Sequence, residues 1–211
     1  MVKVKICGIT NLEDAQVAVK AGCDALGFVF YKKSPRYISP QKAAEIVKAL
    51  DKKIAVVGVF VNSRKSFIEK VAKTVKLTMI QLHGNESVDF CRRLSNFNLI
   101  KAFRVSGQVN FKELQAYPVK AWLFDSFSSC NYGGTGKTID WQKLADCLAG
   151  SKKTIFLAGG LTANNVVKAI SIVKPQWVDA SSGLELFPGK KDHRKVKAFL
   201  KVIRQIKKFI C

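Results

Sequence analysis

The sequence predicts an α/β protein, a closed (β/α)8 barrel of parallel strands, on three observations. Short apolar runs rich in Val, Ile, Phe and Leu alternate with longer helical patterns. The alternation persists from one end to the other, and it repeats eight times in 211 residues. Strict alternation makes successive strands parallel, and a repeat of about 26 residues matches the lower size limit of a closed eightfold barrel. A doubly wound open sheet is the competing arrangement with the same alternation.

The elements justify this in order. Strands are expected at 2–7, 25–30, 54–60, 78–82, 98–103, 119–124, 154–158 and 177–180. On the first, Val2, Val4 and Ile6 share one face and Lys3, Lys5 and Cys7 the other, so the apolar face meets the helices and Cys7 looks into the barrel mouth. The same parity on the sixth turns Trp122 and Phe124 outward and Asp125 inward. Helices are expected near 11–21, 40–50, 64–75, 86–94, 110–116, 140–148, 162–172 and 193–209. Gly22 closes the first, Ser39 followed by Pro40 opens the second, and Asp140 and Thr162 are candidate N-caps. The stretch 126–137, SFSSCNYGGTGK, is the longest run of turn-forming residues and falls on the catalytic face of such a barrel.

With 48% hydrophobic residues the chain has the means to bury roughly 70% of its unfolded surface in one core, so a single domain over 1–211 is expected. The N-terminal run MVKVKICGIT is too short in apolar residues for a signal peptide or membrane span, so a soluble, cytoplasmic protein is expected. The cysteines at 7, 23, 91, 130, 147 and 211 form no CxxC pair and have no neighbouring His, which argues against a disulfide framework or a zinc site. A formal charge of +21 suits lysine-coated helices and favours encounter with anions. It also raises a nucleic-acid-binding module as a rival, but that reading explains none of the loop residues. GGTGKT at 133–138 imitates the end of a P-loop; Asn131 stands where that motif needs glycine, so nucleoside triphosphate binding is rejected.

Barrel enzymes assemble their sites where strands end, which singles out Cys7, Arg36, Gln81, His83, Asp125, Gly159, Gly160, Asp179, Ser181, Ser182 and Gly183. Cys7 read blandly is a small buried hydrophobe, and Asp125 a loop cap. The glycine loops AGGL and SSGLE offer backbone N–H groups that approach an anion without a Cβ in the way. His193 is expected to be solvated or capping.

Taken together, KICGIT, SPRYI, GVFVN, QLHG, LFDS with GGTGKTIDW, AGGL, and SSGLE followed by PGKKD resemble the phosphoribosylanthranilate isomerase family over nearly the whole chain. The resemblance implies a TIM barrel that performs the Amadori rearrangement of tryptophan biosynthesis without cofactor or metal. It implies Cys7 as general base and Asp125 as general acid, Arg36 on the anthranilate carboxylate, and Asp179 on its amino nitrogen. Gly159, Gly160, Ser181, Ser182 and Gly183 match the phosphate loops, and Gln81 and His83 are expected to face substrate. The partner is thus a small phosphorylated molecule, with no specific nucleic acid and no membrane; the sequence does not decide the oligomeric state. Indole-glycerol-phosphate synthase is expected to carry a long N-terminal extension, and the histidine-pathway isomerase an Asp in place of Cys7. Free thiol and carboxylate groups, near 8.5 and 3.9, favour the opposite protonation states to those required. Lys5, on the same inward face as Cys7, is expected to favour the thiolate.

Overall fold

The computed structural model describes residues 2–50, 54–105, 110–126 and 139–206. Within them eight parallel strands close in chain order: β1 (Lys3–Cys7), β2 (Ala25–Val29), β3 (Ala55–Phe60), β4 (Met79–Leu82), β5 (Leu99–Val105), β6 (Ala121–Ser126), β7 (Thr154–Leu157) and β8 (Trp177–Ala180). The seam is β1 against β8, with Lys5 in register with Asp179. The helices are α1 (Leu12–Ala21), α2 (Pro40–Lys48), α3 (Lys65–Val75), α4 (Val88–Arg92), α5 (Phe111–Gln115), α6 (Trp141–Leu148), α7 (Val166–Val173) and α8 (His193–Gln205). The open-sheet alternative is thereby excluded. The turn-rich stretch beyond Ser126, with Cys130 and GGTGKT, lies outside the described residues.

Strand parity separates two apolar layers. Val4, Ile6, Leu26, Phe28, Trp122 and Phe124 face the helices and join the large outer core. Ala25, Val57, Ala121, Leu123, Phe156 and Ala158 fill the barrel itself. Each fully buried side chain as large as Trp122 or Phe28, both at most 1% exposed, stabilises by roughly 1.5–3 kcal/mol or more. At the N-terminal end of the barrel Phe156 and Trp177 stack with centroids 4.9 Å apart. At the C-terminal end the filling becomes polar, and there the strands deliver the candidate residues.

Local signals account for most element ends. Ser39 Oγ accepts from the Lys42 N–H with Pro40 in the first turn, Asp140 accepts from the Lys143 N–H, and Gly22 ends α1 at φ 91°. Thr162 is not a cap. The Asn165 side chain folds back, accepting from the Thr162 N–H and donating to the Gly160 carbonyl, so these residues form a turn and α7 begins only at Val166. Alternation also passed over a hairpin between β8 and α8, formed by β9 (Glu185–Phe187) and β10 (Lys190–Lys191). Its strands are too short for a period-2 pattern to register.

His193 is partly solvated but is not the cap. Asp192 caps α8, while His193 Nε2 lies 2.8 Å from Asp14 Oδ1 on α1, half-buried. Glu13, Asp14 and His193 have the chemistry of metal ligands, but the Lys190 ammonium already sits among them, 2.8 Å from Glu13 and 3.2 Å from Asp14. That lysine supplies the positive charge which a cation would otherwise bring.

Candidate active site

All the strand-end residues singled out from the sequence line one cleft at the C-terminal mouth. β1 delivers Cys7, β4 Gln81 and the following His83, β6 Asp125, and β8 Asp179, each buried yet facing the opening. Sequence reasoning missed the apolar wall of Val29, Val59, Val61 and Tyr31, which also lines the cleft. Val29 and Val59 carry the signal of inward parity, but nothing in a valine announces a ligand.

The groups in the cleft are held by bonds that span the fold. Lys5 Nζ donates to both oxygens of Asp179 at 2.9 Å, deep inside the barrel. Burial pushes the Cys7 thiol above its ordinary range; the Lys5 ammonium opposes this, and the Asp179 charge adds to it. Lys5 thus favours the thiolate, as expected, but does not prevail over burial. Lys5 is bound to Asp179, and its remaining pull on the thiol is outweighed by the loss of water. Burial also lowers the tendency of Lys5 to stay charged, but Asp179 and Cys7 overcome it and its pKa lies above the usual lysine value.

Across the mouth, Asp125 Oδ1 accepts from the Ser126 N–H at 2.8 Å, and Oδ2 lies 3.4 Å from His83 Nε2. That approach is near but not aligned as a hydrogen bond, and among the described residues His83 Nε2 and Gln81 Oε1 have no hydrogen-bond partner. The Gln81 amide nitrogen is 2.7 Å from His83 Nδ1. With the amide as donor, Nδ1 accepts and the imidazole proton sits on Nε2, toward Asp125, an assignment made from the bonding network. Two buried polar atoms of residues that line the cleft thus have bonding capacity to spare.

The glycine loops meet on the remaining side. Gly159 and Gly160 have φ of 87° and 61°, a region that a side chain disfavours. A Cβ on Gly183 would lie 2.3 Å from the Leu161 carbonyl, so the two loops touch only because that residue is glycine. Ser181 Oγ donates to the Cys7 carbonyl at 3.1 Å, tying the last loop to the end of β1. Arg36 reaches the cleft from the segment after β2, and its guanidinium is already engaged by Glu185, a residue the sequence reading did not single out.

Fold and cleft together place the chain among (β/α)8-barrel proteins whose strand-end side chains and glycine loops line a small-molecule cleft. Comparison with known proteins narrows this. The pattern of the family described as N-(5'phosphoribosyl)anthranilate (PRA) isomerase matches residues 4–202, and the chain belongs to that family. An N-(5'-phosphoribosyl)anthranilate isomerase of Geobacter sp. (strain M21) is 48% identical over 200 residues, 95% of this chain and 97% of the relative. The crystal structure of phosphoribosyl anthranilate isomerase from Thermus thermophilus superposes with a TM-score of 0.90 at 32% identity, covering 97% of this chain and 100% of that one. Another solved phosphoribosyl anthranilate isomerase, 42% identical with a TM-score of 0.82 over 97% of this chain and 100% of its own, is in complex with reduced 1-(o-carboxyphenylamino)-1-deoxyribulose 5-phosphate.

Proposed function

We propose that this chain converts N-(5'-phosphoribosyl)anthranilate to 1-(2-carboxyphenylamino)-1-deoxyribulose 5-phosphate in tryptophan biosynthesis, with Asp125 as general acid and Cys7 as general base. The observation that carries the reading is that a thiol and a carboxylate from different strands, β1 and β6, open into the same cleft as the glycine loops. The reduced product analogue held by the 42% identical relative has the same three parts to satisfy: a phosphate, an aryl carboxylate and a sugar chain.

In the reaction Asp125 gives its proton to the furanose ring oxygen as the C1–O bond breaks, and the anthranilate nitrogen lone pair forms the iminium. Cys7 as thiolate then takes the C2 proton; that electron pair forms the C1–C2 double bond and returns the other pair to nitrogen. The enolamine tautomerises to the ketone, so C2 is oxidised as C1 is reduced, and the carboxyl group needs only to give a proton and the thiolate to accept one. Backbone N–H groups at Gly160 and Gly183 suit the phosphate. The apolar wall of Val29, Val59 and Tyr31 suits the aromatic ring. The cytoplasm, where thiols stay reduced, suits a cysteine base. The direct test is loss of anthranilate-type fluorescence on mixing the purified protein with freshly generated phosphoribosylanthranilate; no turnover would overturn the proposal.

Two expectations refine it. Alkylation of Cys7 by iodoacetamide, read against a Cys7→Ala control, is expected to accelerate with pH along a curve centred above the ordinary thiol value near 8.5, because burial favours the neutral form. Replacing Lys5 with Met is expected to move that curve to still higher pH, since the charge that opposes the shift is gone. A curve at or below the ordinary value would show that the site stabilises the thiolate before substrate arrives. Separately, Arg36→Ala is expected to raise KM more than it lowers kcat, because a guanidinium on a carboxylate binds ground and transition states alike. Unchanged KM and kcat/KM would remove Arg36 from the site.

A further inference from the structure

The Arg36 side chain does not reach the cleft unaided. Its Nε donates to Glu185 Oε1 at 2.9 Å and Oε2 at 3.2 Å, and its Nη2 donates to Oε2 at 2.6 Å. One edge of the fork is thereby consumed, and the edge formed by Nη1 and Nη2 is left to receive a second carboxylate. The aliphatic stem runs over Gly8, where a Cβ would stand 2.7 Å from Arg36 Cδ. Glu185 is itself fixed, since the buried Lys191 ammonium donates to its Oε1 at 2.8 Å and to the Ser181 carbonyl at 3.3 Å.

We propose that Glu185 is a positioning residue, which aims the free edge of the Arg36 guanidinium at the substrate carboxylate and is itself held in place by Lys191. Two facts make this more than a structural ion pair. Glu185 begins β9, directly after the loop of Ser181–Gly183, so one carboxylate ties the carboxylate-binding arginine to the phosphate loop. Nor is the cluster balanced without the ligand. Arg36 and Lys191 together bring two positive charges to one negative, so the cluster carries a net positive charge that an incoming carboxylate neutralises. Burial alone would push the Glu185 carboxyl up, yet the bonds from Arg36 and the charge of Lys191 hold it below the ordinary carboxylate range.

The proposal rests on the reading of Arg36 as the carboxylate-binding group, and the experiment separates the two. Steady-state kinetics are measured for Arg36→Ala, Glu185→Gln and the double variant, with binding of free anthranilate and of inorganic phosphate measured alongside. Glu185→Gln is expected to raise KM by about tenfold or more while kcat changes by less than about threefold, and to weaken anthranilate but not phosphate. In the Arg36→Ala background the same change is expected to add nothing further to KM, because Glu185 acts through Arg36. If Arg36→Ala raises KM but Glu185→Gln does not, or if Glu185→Gln raises it by the same factor with and without Arg36, the positioning role is wrong. If Arg36→Ala itself leaves KM unchanged, the carboxylate reading falls and this proposal with it. Should Glu185→Gln not fold, Glu185→Asp replaces it, keeping the charge beside Lys191 but drawing the carboxylate back from Arg36 by one carbon, with the same outcomes expected.

Discussion

Cys7→Ala and Asp125→Asn are each expected to lose about 10²–10⁴ in kcat while binding the product with near-normal affinity. Each group is buried at the end of its strand and opens only into the cleft, so removing it takes away a proton donor or acceptor without disturbing the apolar layers that build the barrel. Cys7→Ser is expected to be poor as well, because a hydroxyl gives up its proton far less readily than a thiol that is already pushed up by burial. If Cys7→Ala keeps more than about a tenth of the wild-type kcat, the base lies elsewhere. The same result for Asp125→Asn turns attention to His83, whose Nε2 is 3.4 Å from Asp125 Oδ2.

The largest stability loss is expected from Lys101→Met. The Lys101 ammonium is buried against Glu86 at 2.9 Å and also donates to the Gly84 carbonyl at 2.7 Å. Glu86 in turn accepts from the Asn62 N–H at 2.8 Å and from the Gly84 N–H at 2.9 Å, so this one pair joins the loops after β3 and β4 to β5. Removing the lysine leaves a buried carboxylate with no compensating charge, which costs about 3–5 kcal/mol, or roughly 6–20 °C in Tm for a chain of this size. Thermal and denaturant unfolding measure it. Replacing both partners by apolar residues is expected to recover much of the loss, since no unpaired charge then remains. A single variant within about 1 kcal/mol of wild type would mean that water reaches Glu86 in solution.

The barrel was legible because its signals are local. Strand parity, caps and glycine stops lie within a few residues of one another, and the eight strands fall within about two residues of where the apolar runs place them. The positions of most cleft residues were legible for the same reason, as they lie at or just beyond a strand end; Arg36 stands seven residues past β2. What surrounds them was not. The partner of Arg36 is 149 residues away in the chain, and the partner of Lys5 is 174 away. Nothing in SSGLE distinguishes a surface glutamate from one that receives a guanidinium and an ammonium together. The parity of β1 put Lys5 beside Cys7 correctly, but only the register with β8 reveals that Asp179 takes both of its hydrogen bonds. Thr162 misled because a threonine before a helical pattern is an ordinary cap, while here Asn165 makes the tighter local bonds.

The seam between β1 and β8 has a consequence for how the chain is made. At roughly 5–20 residues per second, the 174 residues that separate Lys5 from Asp179 take roughly nine to thirty-five seconds to synthesise, so β8 follows β1 by about that interval. For most of that interval the growing sheet keeps β1 as an open edge, the kind of surface that invites pairing with other nascent chains. A charge on the inward face of an edge strand discourages such pairing, because a stranger docked there would have to bury it unpaired. Lys5 lies on that face, and its counter-charge, Asp179, arrives only with the last strand. The lysine that ends as a buried partner in the finished barrel thus begins as a guard on the unfinished one.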